Sequence, residues 1–323
     1  MHTLATITQI KSPHHRLMTE PLEDRTVNYR HFQTAIIGEV LLQAILLEVC
    51  CSPKPGLITP ISTGAHRDMN LQTFLLSSSA IAPCFTLCAG AGFTHRNPLP
   101  LLLKKIRPIG IDYEHRLLTV TQGVNTQRGI LFSGSVLASA AGYLHGQNQP
   151  VDCISLMHCV QQLCKGLCKS DFAALKTRAP RTAGELLFTK YGVTGIRGEA
   201  EQGFPTIAQI GYPALIAAFN KRLPLRHALV DCLLMLMTQC EDTNVLWRTG
   251  PQQLAELKLH ASEIVHRGGI SAPGGEARVH QLNEWCCQHR ISPGGSADLL
   301  ALSIAVYLLC HSHFPNDVTQ ERI

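Results

Sequence analysis

The segment 225–240 constrains the fold of this chain more than any other. Leu229, Leu233, Leu236 and Met237 recur on one face at helical spacing, and Leu234 and Met235 carry the apolar surface round to other sides. A helix apolar on most sides must be enclosed, so the rest of the chain has to supply the elements that cover it. It supplies helices. Helix-type periodicity predicts segments near 31–51, 70–92, 98–106, 130–145, 151–168, 182–190, 206–220, 225–240, 252–267, 275–289 and 296–312. Pro83 and Pro213 are expected to bend the helices that hold them. Only 107–121 reads ambiguously as strand. The expectation is an all-α protein, with one globular domain of ten or eleven helices over 31–314. A poorly ordered tail is expected at 1–30 and a short C-terminal tail at 315–323.

Composition narrows the function. Hydrophobic residues make up 45% of the 323 and charged residues 16%, so the chain can bury a large core and is not of the disordered class. The net charge of +5 comes without basic runs or interleaved aromatics. That argues against nucleic-acid binding and suits a small anionic substrate. Residues 1–30 lack the apolar core of a secretory signal, so the odd count of 13 cysteines reads as reduced thiols of a cytoplasmic protein. The run His158, Cys159, Cys164, Cys168 has no Cys-x2-Cys pair, and its spacing favours helix packing over zinc. The stretch 35–51 is interrupted by Glu39, Gln43 and Glu48, and 299–310 is short. Both fall below the ~18–20 apolar residues of a membrane span and read as core helices.

Polar loops punctuated by glycine interrupt the apolar pattern. The densest is Arg197-Gly198-Glu199-Ala200-Glu201-Gln202-Gly203-Phe204-Pro205. Its glycines and proline argue against a regular helix, and an extended backbone would turn Arg197, Glu199 and Glu201 to one side. One cation beside two carboxylates drives their pKa values apart, which suits acid/base work or metal binding. The alternative is a surface loop with an ion pair.

Lys54, between Pro53 and Pro55, is placed either to meet a phosphate or simply to end a helix in solvent. In Gly64-Ala65-His66-Arg67-Asp68-Met69, Asp68 is a candidate cap for the helix near 70 or a metal ligand. His66 is a candidate acid/base group or ligand, against ordinary packing. Asn125 or Thr126 is expected to cap the helix of 130–145, where Arg128 and free N–H groups would make an anion site. Glu241-Asp242-Thr243-Asn244 leaves the buried helix 225–240, and Arg248 follows shortly after. Its acids are either a hard-cation site or helix-end punctuation. In Ser292-Pro293-Gly294-Gly295-Ser296-Ala297-Asp298, the glycines allow backbone to approach a ligand, Ser296 can cap, and Asp298 can stabilise a first turn or hold a metal. Together these loops suit a polyphosphate with Mg2+, or a glycosyl centre with an oxocarbenium-like transition state.

In this order the loops resemble the triphosphoribosyl-dephospho-CoA synthase family. The matching words are Ser52-Pro53-Lys54-Pro55-Gly56-Leu57, Gly64-Ala65-His66-x-Asp68-Met69, Arg107-Pro108-Ile109-Gly110, Gly123-Val124-Asn125-Thr126, Thr194-Gly195-x-Arg197-Gly198-Glu199-Ala200-Glu201-x-Gly203, Asp242-Thr243-Asn244-Val245 and Ser292-Pro293-Gly294-Gly295-Ser296-Ala297-Asp298-Leu299-Leu300. Two departures stand out: Gln127-Arg128 where the family usually reads His-Lys, and Thr249 where it favours glycine. The resemblance implies a largely helical, cytoplasmic bacterial enzyme. It joins ATP to 3′-dephospho-CoA, the ribose 2′-hydroxyl displacing adenine from C1′ of ATP. The product is the prosthetic-group precursor of the citrate lyase or malonate decarboxylase acyl carrier protein, to be passed to an acyl carrier protein transferase.

On that reading one of Glu199 and Glu201 protonates adenine, and the other takes the hydroxyl proton or faces C1′. Asp68, Asp242 and Asp298 are the expected Mg2+ ligands, supported by Asn244. Lys54, Arg128, Arg197 and Arg248 would neutralise the triphosphate. His66, Asn125, Gly294, Gly295 and Ser296 complete the expected substrate-binding set. The competing readings are a purine N-glycoside hydrolase and a nucleotide- or CoA-binding protein without activity.

Overall fold

The structure, a computed structural model, describes residues 22–318. Among them the chain is helical, with one isolated bridge between Thr59 and Ser62. The α-helices are α1 (Leu22–Cys50), α2 (Leu71–Phe93), α3 (Pro100–Val120), α4 (Arg128–Gly146), α5 (Cys153–Leu163), α6 (Leu167–Phe172), α7 (Ala183–Tyr191), α8 (Gly195–Glu201), α9 (Tyr212–Asn220), α10 (Leu225–Gln239), α11 (Thr243–Arg248), α12 (Pro251–His266), α13 (Gly275–Gln288) and α14 (Gly294–His311). The all-α expectation holds. Residues 1–21 and 319–323, which include most of the expected tails, lie outside the described residues. The expected boundary near residue 30 falls inside α1, and Val318 is buried, its carbonyl accepting a hydrogen bond from Leu225 N.

Helices α10 and α14 form the centre, as their all-round apolar surfaces require. Every residue from Leu299 to Leu308 is buried, and α14 packs on α1, α4 and α10. Helices α1, α2 and α4 make the second half of the core. Small residues bring α2 and α4 into backbone contact. A Cβ on Gly142 would stand 2.1 Å from the Ala89 carbonyl oxygen, and one on Gly92 would stand 2.1 Å from that of Ser139.

Packing corrects three expectations and refines a fourth. The ambiguous stretch 107–121 is the second half of α3. Leu102, Ile106, Ile109, Tyr113 and Leu117 carry one core-facing stripe straight through Pro108, and that burial outweighs the lost backbone bond. The segment 151–168 divides into α5 and α6 at Gly166, whose φ is +81°. Pro213 stands within one continuous helical run, 205–220, directly after a π-helical turn at Ile207–Gly211, so the irregularity expected at this proline takes the form of a π turn ahead of it. Finally, Asn28–Cys50, Leu71–Phe93 and Gly294–His311 are long and apolar enough to cross a membrane by length and composition. The sequence reading underestimated them because the helices run past the apolar stretches. Here they pack on one another and build the core.

Gly142→Ala should force α2 and α4 apart and destabilise the fold by about 1–3 kcal/mol, as overpacking does. Urea unfolding of the two proteins measures it, and an unchanged midpoint would contradict the close crossing.

Candidate active site

Four helices begin at one cavity of about 780 Å3. Gly129 of α4, Gly195 and Ile196 of α8, Thr243 and Asn244 of α11, and Gly294 and Gly295 of α14 all line it. The starts of α4, α8 and α14 carry no side-chain cap. The free N–H groups and positive dipole ends of α4 and α8 favour an anion in this space, whereas a carboxylate of the protein already meets the first turn of α14.

Asp242 holds two of these starts together. Its Oδ1 accepts from the backbone N–H groups of Asn244 (3.0 Å) and Val245 (3.2 Å), which caps α11. Its Oδ2 accepts from Ser296 N (2.8 Å) and Ser296 Oγ (3.0 Å) in the first turn of α14. Asp242 is 1% exposed. Burial pushes its pKa up, and the donors from Ser296 and Val245 pull it back. Both oxygens are occupied, so the expected role of Asp242 as a metal ligand is corrected to that of a structural cap. Ser296 is likewise a buried donor to Asp242 rather than a cap of α14 or a wall of the cavity. The two glycines before it serve the same junction. A Cβ on Gly294 would stand 2.6 Å from Asn244 Nδ2, and one on Gly295 3.1 Å from the Asp242 carboxyl carbon.

The glutamate motif is helical, contrary to expectation. Gly198 sits inside α8 because Thr194 Oγ1 occupies the place of its Cβ, which would lie 1.9 Å away. Gly203 (φ +78°) and Phe204 (φ +49°) end the helix instead of preventing it. Side chains two apart on a helix diverge by about 200°. Glu199 therefore faces the cavity and Glu201 leaves it. Glu199 accepts from Thr206 Oγ1 (2.6 Å) and Thr206 N (3.3 Å). Burial raises its pKa, Thr206 opposes the rise, and the charge of Glu241 adds to it. Glu201 accepts from Gly166 N (2.8 Å) and Cys168 N (3.1 Å) at the start of α6. Arg197 also stands outside the cavity lining. Its Nε donates to Asp171 (3.0 Å), which Arg107 shares, and its guanidinium lies 5.9 Å from the Phe172 ring centre. The expected catalytic role of Glu201 and phosphate role of Arg197 are thus replaced by ties between α8 and α6.

On the opposite wall Arg248 reaches His66. A guanidinium only donates, so His66 Nδ1 accepts at 3.3 Å and Nε2–H donates to Ser292 Oγ at 2.7 Å. Burial first, and then the charge of Arg248, lower the His66 pKa, which keeps the imidazole neutral. Asp68 stands 3.6 Å from Nδ1, mostly in solvent. It does not cap α2; Asn70 does, in a capping box with Thr73.

Lys54 and Arg128 both line the cavity, but with carboxylate partners. Lys54, 2% exposed, is paired with Glu48, and Arg128 is paired with Glu114 at the surface. Asn125 Oδ1 accepts a long bond from Arg128 N (3.4 Å), whereas Thr126 Oγ1 is buried without a hydrogen-bond partner among the described residues. Asp298 lines the cavity with no hydrogen bond or ion pair among the described residues, and the Gly129 backbone lies against it: a Cβ there would be 1.9 Å from Oδ2. Burial, with the charges of Glu48 and Asp242, holds its pKa well up. Among the described residues no three His, Cys, Asp or Glu side chains form a group that could hold a metal ion, so the three aspartates make no ready cage. All thirteen cysteines are free thiols.

The chain matches, over residues 34–315, the family model described as ATP:dephospho-CoA triphosphoribosyl transferase. The protein belongs to that family. Over 280 residues it is 40% identical to a probable 2-(5″-triphosphoribosyl)-3′-dephosphocoenzyme-A synthase of Malonomonas rubra, which covers 86% of this chain and 89% of that protein. It is 37% identical over 282 residues to the 2-(5″-triphosphoribosyl)-3′-dephosphocoenzyme-A synthase of Pectobacterium atrosepticum, with 87% and 90% covered. No solved structure matches it. As a member of this transferase family the chain is an enzyme, and its cavity is the candidate active site.

Sequence reasoning overlooked Glu48, Gln127, Thr206, Ser292 and Trp247, which also line the cavity. Glu48 had a signal, an acid near the end of an apolar helix and six residues before Lys54. Gln127 lies at a departure from the family pattern, and it is held by Ser77 and Ser78.

Asp242→Asn replaces an acceptor oxygen by an amide that confronts two donors. Leaving those N–H or O–H groups buried and unpaired should cost about 3 kcal/mol. Chemical unfolding measures the loss, and a stability equal to wild type would contradict the tie.

Proposed function

We propose that this cavity transfers the triphosphoribosyl group of ATP to the ribose 2′-hydroxyl of 3′-dephospho-CoA. The observation that carries the reading is Glu199: a carboxyl whose pKa burial raises, facing a cavity where the starts of α4 and α8 favour phosphate. The C1′–N9 bond breaks, its electron pair leaves with adenine, and the Glu199 proton goes to the purine. The 2′-oxygen bonds to C1′. Its proton goes to Nδ1 of the neutral His66 imidazole, the nitrogen that the Nε2–H bond to Ser292 leaves unprotonated, once Arg248 turns from it to phosphate. Arg248 has no carboxylate within bonding distance among the described residues, so its charge is available to phosphate. Arg128 can exchange the exposed Glu114 for phosphate at little cost.

Mg2+ enters with ATP as part of the substrate. Such an ion needs one or two protein carboxylates besides the phosphates. Asp298 fits, since it lines the cavity with no hydrogen bond or ion pair among the described residues, and Asp68, mostly in solvent on the same lining, is the second candidate. The product serves as prosthetic-group precursor for the citrate lyase acyl carrier protein, reached through an acyl carrier protein transferase, with malonate decarboxylase as the alternative destination. Free thiols suit a cytoplasmic setting.

Mass spectrometry of a reaction with ATP, Mg2+ and dephospho-CoA should show the joined product with equimolar adenine. Adenine and free ribose triphosphate formed without dephospho-CoA would instead make the protein a hydrolase. The rate should fall as pH rises through the raised pKa of Glu199, because the acid form is lost above it. Glu199→Gln should remove that limb from the profile, and a limb kept in the variant would exclude Glu199 as its source.

A further inference from the structure

Among the described residues two large aromatic side chains line the cavity without an aromatic partner, Phe74 and Trp247, and Trp247 is the more exposed of the two. It lies on α11, one residue before Arg248, and α11 is fastened by Asp242 and packs against α7 and α14. The indole is 53% exposed, and among the described residues it makes no ring contact and no hydrogen bond. The other tryptophan differs: Trp285 sits between His260 and His289 on the core side of α13. A half-exposed indole on a rigid, capped helix, beside a guanidinium free of carboxylates, offers a flat face for a base and a cation for its phosphate.

We propose that Trp247 is the stacking platform for the adenine ring of dephospho-CoA, an assignment that rests on the transfer reaction above. That reaction uses two adenines with different needs. The adenine of ATP departs and must meet an acid, so it belongs with Glu199, which is partly buried and held by Thr206. The adenine of dephospho-CoA passes through unchanged. It needs only a surface that fixes its ribose, placed where the long pantetheine arm can run out to solvent. Trp247 meets that need at the mouth, and Arg248 beside it can take the acceptor's diphosphate.

The chain has two tryptophans, so Trp285→Phe leaves Trp247 as the only indole. In that protein dephospho-CoA added alone should quench the fluorescence saturably, and ATP alone should quench it far less. Trp247→Ala should raise the KM for dephospho-CoA roughly tenfold or more, the scale of one base–aromatic stack, with kcat and the KM for ATP near wild type. Trp247→Phe should recover most of that loss. A KM rise confined to ATP, or no change in either KM, overturns the assignment. Should Trp247→Ala fail to fold, quenching in Trp285→Phe and the kinetics of Trp247→Phe decide it. Wild-type turnover separates the two readings: an unmodified enzyme that forms no product with these substrates defeats the transfer reaction itself, whereas normal wild-type turnover with an unaltered Trp247→Ala defeats only the platform.

Discussion

One buried carboxylate organises the active site. Asp242 leaves the central helix α10 and accepts hydrogen bonds from the first turns of both α11 and α14. Everything those helices present to the cavity depends on this junction: Asn244, Trp247 and Arg248 from one, Gly294, Gly295 and Asp298 from the other. A buried charge is costly unless donors surround it, and here the donors are the very N–H groups that a helix start leaves unpaired. The desolvation of the carboxylate and the exposed dipole ends offset each other. The apolar centre formed by α10 and α14 then makes the arrangement rigid.

The sequence disclosed the architecture because it rests on periodicity. The all-round apolar pattern of 225–240 required a helical shell, and the shell is present. The loops it singled out also converge: Lys54, His66, Asp68, Asn125, Arg128, Glu199, Asn244, Arg248, Gly294, Gly295 and Asp298 line one cavity although they are spread over nearly the whole chain. What stayed hidden was direction. Glu199 and Glu201 differ by two positions, so the choice between extended and helical backbone decides whether they act together or face opposite ways. Glycine and proline weigh against helix in local statistics. Here Gly198 makes room for the Thr194 hydroxyl four residues earlier, a contact that arises only once the backbone is helical.

The same misdirection affected the other glycines and the acids. Gly294 and Gly295 suggested room for a ligand, yet each is small because a side chain of the protein itself, Asn244 or Asp242, crowds the place of its Cβ, as Asp298 does at Gly129. Aspartate at a helix start reads equally well as cap or ligand. Asp242 proved to be a cap, Asp68 yielded the cap of α2 to Asn70, and Asp298 is neither capping nor paired. Only long-range packing separates these outcomes. Glu48 illustrates the converse: an acid in an apolar helix looked like a mere interruption and is the buried partner of Lys54 on the cavity wall.

The account turns on which glutamate of the motif faces the reacting sugar. Comparing adenine release by Glu199→Gln and Glu201→Gln under saturating ATP and dephospho-CoA tests it most directly. The structure predicts a loss of about a hundredfold or more in kcat for Glu199→Gln, the usual scale for removing a general acid. It predicts kcat near wild type for Glu201→Gln, with any defect confined to the docking of α6 and therefore to stability. Equal losses in both, or a loss only in Glu201→Gln, would contradict it.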